Sequence, residues 1–130
     1  MSKKAVATDK APQAIGPYSQ GIQLRECKNL IFTSGQIPID PAVGKVIAGD
    51  ISAQTHQVFK NITAILEASG SGLKNVLKTT VFLKSMDDFK AMNEVYASYF
   101  SGAFPARSTV QVAKLPMDVL VEIETVAYID

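Results

Sequence analysis

The chain has 130 residues, 13 Lys+Arg against 12 Asp+Glu for a formal net charge of +1, and 47% hydrophobic residues. A chain of this length hides roughly two-thirds of its unfolded surface on folding, so residues 1–130 read as one domain that needs no covalent staple. One Cys and one His exclude an internal disulfide and a four-ligand Cys/His zinc site. The balanced charge lacks the basic excess of a nucleic-acid binder, and the absence of a long apolar run leads us to expect no membrane span or signal peptide and a cytoplasmic location, with an organelle left open.

The first twenty residues carry Pro12, Gly16 and Pro17 without clear periodicity and read as an ordered loop or irregular lead-in strand. Residues 21–24 form a short strand. Residues 30–34, apolar and β-branched after the polar run 25–29, fit the second strand of a hairpin with it. Pro38, Pro41, Gly44 and Gly49 make residues 36–49 a long turn or a ragged hairpin. Asp50 then offers an N-cap. Val58, Phe59, Ile62, Ile65 and Leu66 recur at spacings of three and four, predicting a helix over residues 51–69 with one buried face, ended by Gly70 and Gly72.

Val76–Leu83 is dense in Val, Thr, Phe and Leu and reads as a buried strand. Ser85 and Asp88 resemble a capping box with Asp in place of Glu. Met92, Val95, Tyr96, Tyr99 and Phe100 form the stripe of a second helix, which Gly102 and Pro105 terminate. Alternation at Ser108, Val110 and Val112, and again at Val119, Val121 and Ile123, predicts two final strands joined through residues 114–118. The expected fold class is α+β: a mixed sheet with two helices packed on one face. Because Val76–Leu83 is apolar at most positions, the other face calls for cover by further copies of the chain.

Two side chains stand out. Arg107 is one of two arginines and begins a strand, where a guanidinium can clamp a carboxylate with two parallel hydrogen bonds; a surface ion pair is the alternative. Glu122 interrupts an apolar strand, so its carboxylate either faces solvent or is held by partners, and in a site it can orient a water. If the last two strands pair directly, a four-residue loop puts Arg107 opposite Glu124, with Thr109 opposite Glu122, all on one face. A five-residue loop puts Arg107 and Glu122 on opposite faces. His56 reads as a solvated histidine, Cys27 as an incidental thiol in a polar turn, and Gly16 and Gly35 as turn residues.

Four segments taken in order resemble the reactive-intermediate deaminase A (RidA/YjgF) family over nearly the whole chain. They are AIGPYSQ at residues 14–20, TSGQIP at 33–38, KTTV at 78–81, and PARSTV at 105–110, continuing through Leu115-Pro116 to VEIE at 121–124. The resemblance implies a chorismate-mutase-like (YjgF) fold and a homotrimer with clefts between subunits. It implies hydrolysis of small 2-imino acids and their enamine tautomers (2-iminopropanoate, 2-iminobutanoate, 2-aminoacrylate, 2-aminocrotonate) to 2-keto acids and ammonia, without cofactor or metal. It places the carboxylate-binding arginine at Arg107, the water-positioning acid at Glu122, and substrate contacts at Tyr18, Gly35 and Asn93. Thr109 stands where many relatives have cysteine; its hydroxyl can still hydrogen-bond to substrate. A ligand-binding, chaperone-like or regulatory role, or a translation-inhibiting ribonuclease, is the alternative within the family; a chorismate-mutase-like enzyme would need several cationic side chains around a dicarboxylate.

Overall fold

The computed structural model describes residues 2–130. Among them the strands are β1 (Ser2–Val6), β2 (Gly21–Arg25), β3 (Asn29–Phe32), β4 (Ile39–Asp40), β5 (Lys45–Val46), β6 (Val76–Leu83), β7 (Ala106–Gln111) and β8 (Val121–Ile129); the α-helices are α1 (Ile51–Ala68) and α2 (Phe89–Ser98).

Asp50 caps α1 as expected: its carboxylate accepts from the Ala53 amide at 3.0 Å. At the other end Gly70 takes φ +82, a region that costs a side-chain-bearing residue more than glycine. The Gly70 amide then reaches the Glu67 carbonyl at 3.0 Å and the Ser71 amide the Leu66 carbonyl at 2.8 Å, which satisfies two carbonyls the helix would otherwise leave open. The start of α2 differs from expectation. Ser85 Oγ accepts from the Asp87 amide at 3.1 Å and so caps a single 3₁₀ turn, Met86–Asp88; α2 begins only at Phe89, and Asp88 makes no side-chain cap.

The main sheet has four strands in the order β3-β8-β6-β7, with β6 and β7 parallel and the other neighbours antiparallel. Strands β3, β6 and β7 therefore run the same way and step in one direction across the sheet. The connection β3 to β6 contains α1 and that from β6 to β7 contains α2, and crossovers of the same favoured hand place both helices on one face. Val58, Phe59, Ile62 and Leu66 of α1, Met92 and Tyr96 of α2, and Val81, Leu83, Val121, Ile123 and Ala127 of the sheet are fully buried in one core. Each of the Val, Leu, Ile, Phe and Met side chains among them contributes on the order of 1.5–3 kcal/mol. Phe59 stacks on Tyr99 with ring centroids 4.5 Å apart.

Two expected pairings are corrected. Residues 21–25 and 29–32 do not form a hairpin: β2 pairs with β1 in a separate two-stranded sheet, and β3 pairs with β8. Glu26 lies between them at φ +48, where the backbone turns away from a hairpin course. Nor are β7 and β8 neighbours, because β6 lies between them; the loop length through residues 114–118 does not set their register. The short β4–β5 hairpin agrees with the expected ragged hairpin.

The face away from the helices carries Leu30, Phe32 and Val110, which are 48%, 71% and 44% exposed. Phe32 lies opposite Val126, and Phe82 opposite Glu122. This is an apolar surface interrupted by a few polar groups, of the kind that marks an interaction face.

Candidate active site

Register assigns each candidate side chain to a face. Thr79 is buried and its hydroxyl meets the Tyr96 hydroxyl of α2 at 2.8 Å, so it points to the helices. Arg107 is the β7 partner of Thr79 and shares that side, whereas Glu122 is the β8 partner of Phe82, three residues along β6, and so lies on the open side. One chain alone keeps the two apart.

On the helix-covered side, Phe89, Asn93 and Tyr96 sit at i, i+4 and i+7 of α2 and meet the Arg107 guanidinium. Its Nη1 donates to Asn93 Oδ1 at 2.6 Å, and its Cζ lies 4.8 Å from the Tyr96 ring centroid, 5.6 Å from that of Phe89 and 5.7 Å from that of Tyr18. Three ring faces hold the cation by their quadrupoles and limit its rotamers. Tyr18 is placed by its neighbour: the Ser19 amide donates to the Pro105 carbonyl at 3.0 Å and Ser19 bridges to Ala106, which lays the 16–20 segment beside the start of β7. A Cβ on Gly16 would come within 3.8 Å of Arg107 Nη2, so this segment also walls the guanidinium.

Among the described residues no carboxylate lies within ion-pair distance of Arg107; the ion pair there is Lys84–Asp118 at 3.1 Å. Burial lowers the Arg107 pKa, and the nearby Tyr96 and Tyr18 act the other way. Burial likewise pushes the Tyr96 hydroxyl up to about 12, against the opposing influence of its Thr79 hydrogen bond and of Arg107. The guanidinium stays cationic at neutral pH with most of its five donors uncommitted. It opens into a cavity of about 260 Å³ lined by Tyr18, Met86, Phe89, Arg107 and Thr109.

On the open side, the Gln36 amide donates to the Ile123 carbonyl at 2.8 Å and the Ile123 amide returns a bond to the Gln36 carbonyl at 3.1 Å. This pair pins Gly35 against β8, and a Cβ at position 35 would overlap the Glu122 carboxylate. From sequence Gly35 reads as a turn residue, and the resemblance implies a backbone contact to substrate. In the structure the missing side chain makes room for Glu122 itself.

Thus Arg107, Asn93, Tyr18 and Thr109 form one cluster, and Glu122 and Gly35 another. Phe89, Tyr96 and Met86 were not singled out as site residues. Tyr96 was absorbed into the core stripe, and Phe89 precedes that stripe; the i, i+4, i+7 spacing of Phe89, Asn93 and Tyr96 around a neighbouring arginine is the signal that finds them. His56 is exposed and its Nδ1 meets the Tyr99 hydroxyl at 2.6 Å, away from both clusters. Cys27 is exposed. No group of three or more His, Cys, Asp or Glu gathers among the described residues, and none of their helices is long and apolar enough to cross a membrane.

Fold and site define the class: a small α+β protein with an aromatic-walled arginine on one side of its sheet and a glycine-seated carboxylate on the other. The family model described as Endoribonuclease L-PSP matches residues 8–129. A RutC family protein of Pyrococcus horikoshii is 55% identical over 126 residues, covering 97% of this chain and 98% of that one. A 2-iminobutanoate/2-iminopropanoate deaminase of Salmonella typhimurium is 49% identical over 127 residues, covering 95% and 96%. The crystal structure of the YjgF gene product from Escherichia coli superposes with a TM-score of 0.74 at 48% identity, covering 96% and 98%. The chain belongs to this Endoribonuclease L-PSP family, the RidA/YjgF family of the resemblance, and has its fold.

Proposed function

We propose that the protein hydrolyses small 2-imino acids and their enamine tautomers to 2-keto acids and ammonia, in clefts completed by neighbouring copies of a homotrimer. One observation carries the reading: a half-buried guanidinium with an asparagine and three ring faces around it and no acidic partner among the described residues. Such a group is preorganised for a carboxylate from outside the chain. The exposed apolar face that includes Leu30 and Phe32 supports a second copy as its cover, and the names of relatives at about half identity support the reaction class.

In this reading Arg107 takes the substrate carboxylate in its planar fork, with Asn93 and the rings fixing the plane. Glu122 of a neighbouring copy orients a water toward C2. The water oxygen bonds to C2 as the C=N bond becomes single, and a water proton passes to nitrogen. The hydroxyl proton of the resulting carbinolamine passes to the amino nitrogen, the C–N bond breaks with its electron pair going to nitrogen, and ammonia leaves as the hydroxyl oxygen becomes the keto oxygen. Fixed geometry and a charge already in place lower the barrier without a nucleophilic side chain. A cytoplasmic setting suits a reaction on products released by amino-acid dehydratases.

The test is a coupled assay in which a serine dehydratase generates 2-aminoacrylate and pyruvate formation is followed with and without the protein. Acceleration is expected. An unchanged rate would turn the site into a carboxylate-binding one without turnover, the regulatory alternative.

A further inference from the structure

Two amide side chains of α1 reach the two pieces of chain that carry the Glu122 cluster. Gln54 Oε1 accepts from the Leu120 amide at 2.8 Å, two residues before Glu122. Asn61 Nδ2 donates to the Ile37 carbonyl at 3.2 Å and to the Ile39 carbonyl at 2.9 Å, two and four residues after Gly35. Gln57, one turn earlier on the helix, donates from Nε2 to Asn61 Oδ1 at 3.0 Å. This bond commits the oxygen end of the Asn61 amide and leaves both its N–H groups to the segment. Packing does not take over this task, because a cavity of about 330 Å³ opens there, lined by Gly35, Ile37 and Ile39 of the segment and by Asn61, Ala64 and Ile65 of the helix.

We infer that Asn61 is a positioning residue for the Glu122 carboxylate: it fixes the distance of the 35–39 segment from α1 and, through Gly35, the place where that carboxylate rests. The inference rests on the water-orienting role of Glu122 proposed above. The segment is held at one end by the paired bonds between Gln36 and Ile123, at 2.8 and 3.1 Å. The Ile37 carbonyl taken by Asn61 is the next one along the chain, so a shift at position 37 is felt at once at Gln36 and Gly35. A Cβ at position 35 would overlap the Glu122 carboxylate; backbone and carboxylate are therefore already in contact, and a displaced segment either presses on the carboxylate or leaves it loose. The open space beside the segment lets it move once the Asn61 bonds are gone. A misplacement of about 1 Å in a group that orients a reactant can cost up to about 100-fold in rate. Arg107 is held by Asn93 and the Tyr96 ring of α2, so Asn61 acts on turnover and not on the hold of a carboxylate.

The test reads turnover of 2-aminoacrylate generated by a serine dehydratase, and calorimetric binding of butanoate, in Asn61→Leu, Asn61→Asp, Glu122→Gln and the two double variants. Leucine is close to asparagine in size and aspartate close to it in shape, and neither an apolar side chain nor a carboxylate donates to the two carbonyls. Each single Asn61 variant is expected to lower kcat by about tenfold or more, with KM and the butanoate Kd changed by about twofold or less. In the Glu122→Gln background the same substitutions should cost no more than about a further twofold, because the group they displace is already gone. An equal fractional loss in both backgrounds overturns the inference, as does a folded Asn61 variant with unchanged kcat; the loss in Glu122→Gln alone then leaves the proposed function standing. Wild-type turnover in Glu122→Gln overturns the reading of Glu122 itself and the inference with it. If neither Asn61 variant folds, Gln57→Ala, which removes only the bond orienting the Asn61 amide, is expected to show the same pattern at about threefold, and an unchanged kcat there overturns the inference.

Discussion

The two sides of the sheet are built from the same strands and do opposite work. Toward the helices, burial is nearly complete and the one strong charge, Arg107, is surrounded by rings and an amide. Away from them, Phe32 and Leu30 stand exposed and the Glu122 carboxylate is seated over Gly35. Strand alternation alone produces the separation: Arg107 pairs with Thr79 and Glu122 with Phe82, at positions of opposite parity on β6. Under the proposed function the two groups can meet only across a boundary between copies, each face then holding half of a site.

The sharpest way to break this contrast is to disable the two faces separately and then mix them. Arg107→Lys, which keeps charge but loses the planar fork, and Glu122→Gln are each expected to reduce imine hydrolysis by about 100-fold or more, Glu122→Gln lowering kcat more than it weakens keto-acid binding. Co-refolded at equal amounts, the pair should recover about a quarter of wild-type activity, since random assembly gives one site in four both native groups. No recovery would mean that both groups serve the same copy.

Next in size is the open face itself. Phe32→Asp puts a charge on the apolar surface and should convert the assembly to monomer by sedimentation, with activity falling on the order of tenfold or more while the far-ultraviolet circular dichroism stays unchanged. A monomer of full activity would contradict the shared site. Gly35→Ala, whose new methyl overlaps the Glu122 carboxylate, should cost on the order of 1–3 kcal/mol in urea unfolding and depress turnover with it. Arg107-dependent binding of butanoate should weaken less than turnover, because the guanidinium is held by Asn93 and Tyr96 and not by the Glu122 cluster.

The smallest effect belongs to the covered side. Burial holds the Tyr96 hydroxyl at about 12 against an ordinary 10.0, so the folded protein keeps this proton more tightly than the unfolded chain does. Its contribution is fully present below pH 10 and is lost as pH rises toward 12, about 1.4 kcal/mol per unit. Urea midpoints between pH 9 and 11 should fall more steeply for the wild type than for Tyr96→Phe.

Local chemistry was legible in the sequence; distant pairing was not. Asp50, the three-and-four spacing from Val58 to Leu66, and Gly70 define α1 because capping and amphipathicity act within a few residues. The hairpin expected for residues 21–34 failed because the polar run 25–29 resembles a turn, while the backbone at Glu26 carries β2 into another sheet. The register of Arg107 and Glu122 could not be read from the loop between their strands, since a strand made earlier, β6, lies between them. The site followed the same division. Arg107 was visible as one of two arginines at a strand start, Glu122 as a chemical exception in an apolar strand, Tyr18 and Gly35 through family segments, and Asn93 through the resemblance alone. The aromatic cage was not visible, because Phe89 and Tyr96 are ordinary core residues until β7 brings a cation beneath them.

The central position of β8 also governs when the protein can fold. Asn29 finds its ladder partner in Ile129, and Phe32 in Val126, so β3 emerges from the ribosome long before the strand that satisfies its backbone groups. Until β8 arrives, β6 lacks one neighbour and β3 has none in the main sheet. Closing so long a loop is slow and leaves strand edges bare in the interval. The nascent chain is therefore at risk of aggregation in the interval before β8 is made, and substitutions that weaken β8 are expected to lower the yield of folded protein more than their effect on equilibrium stability alone would indicate.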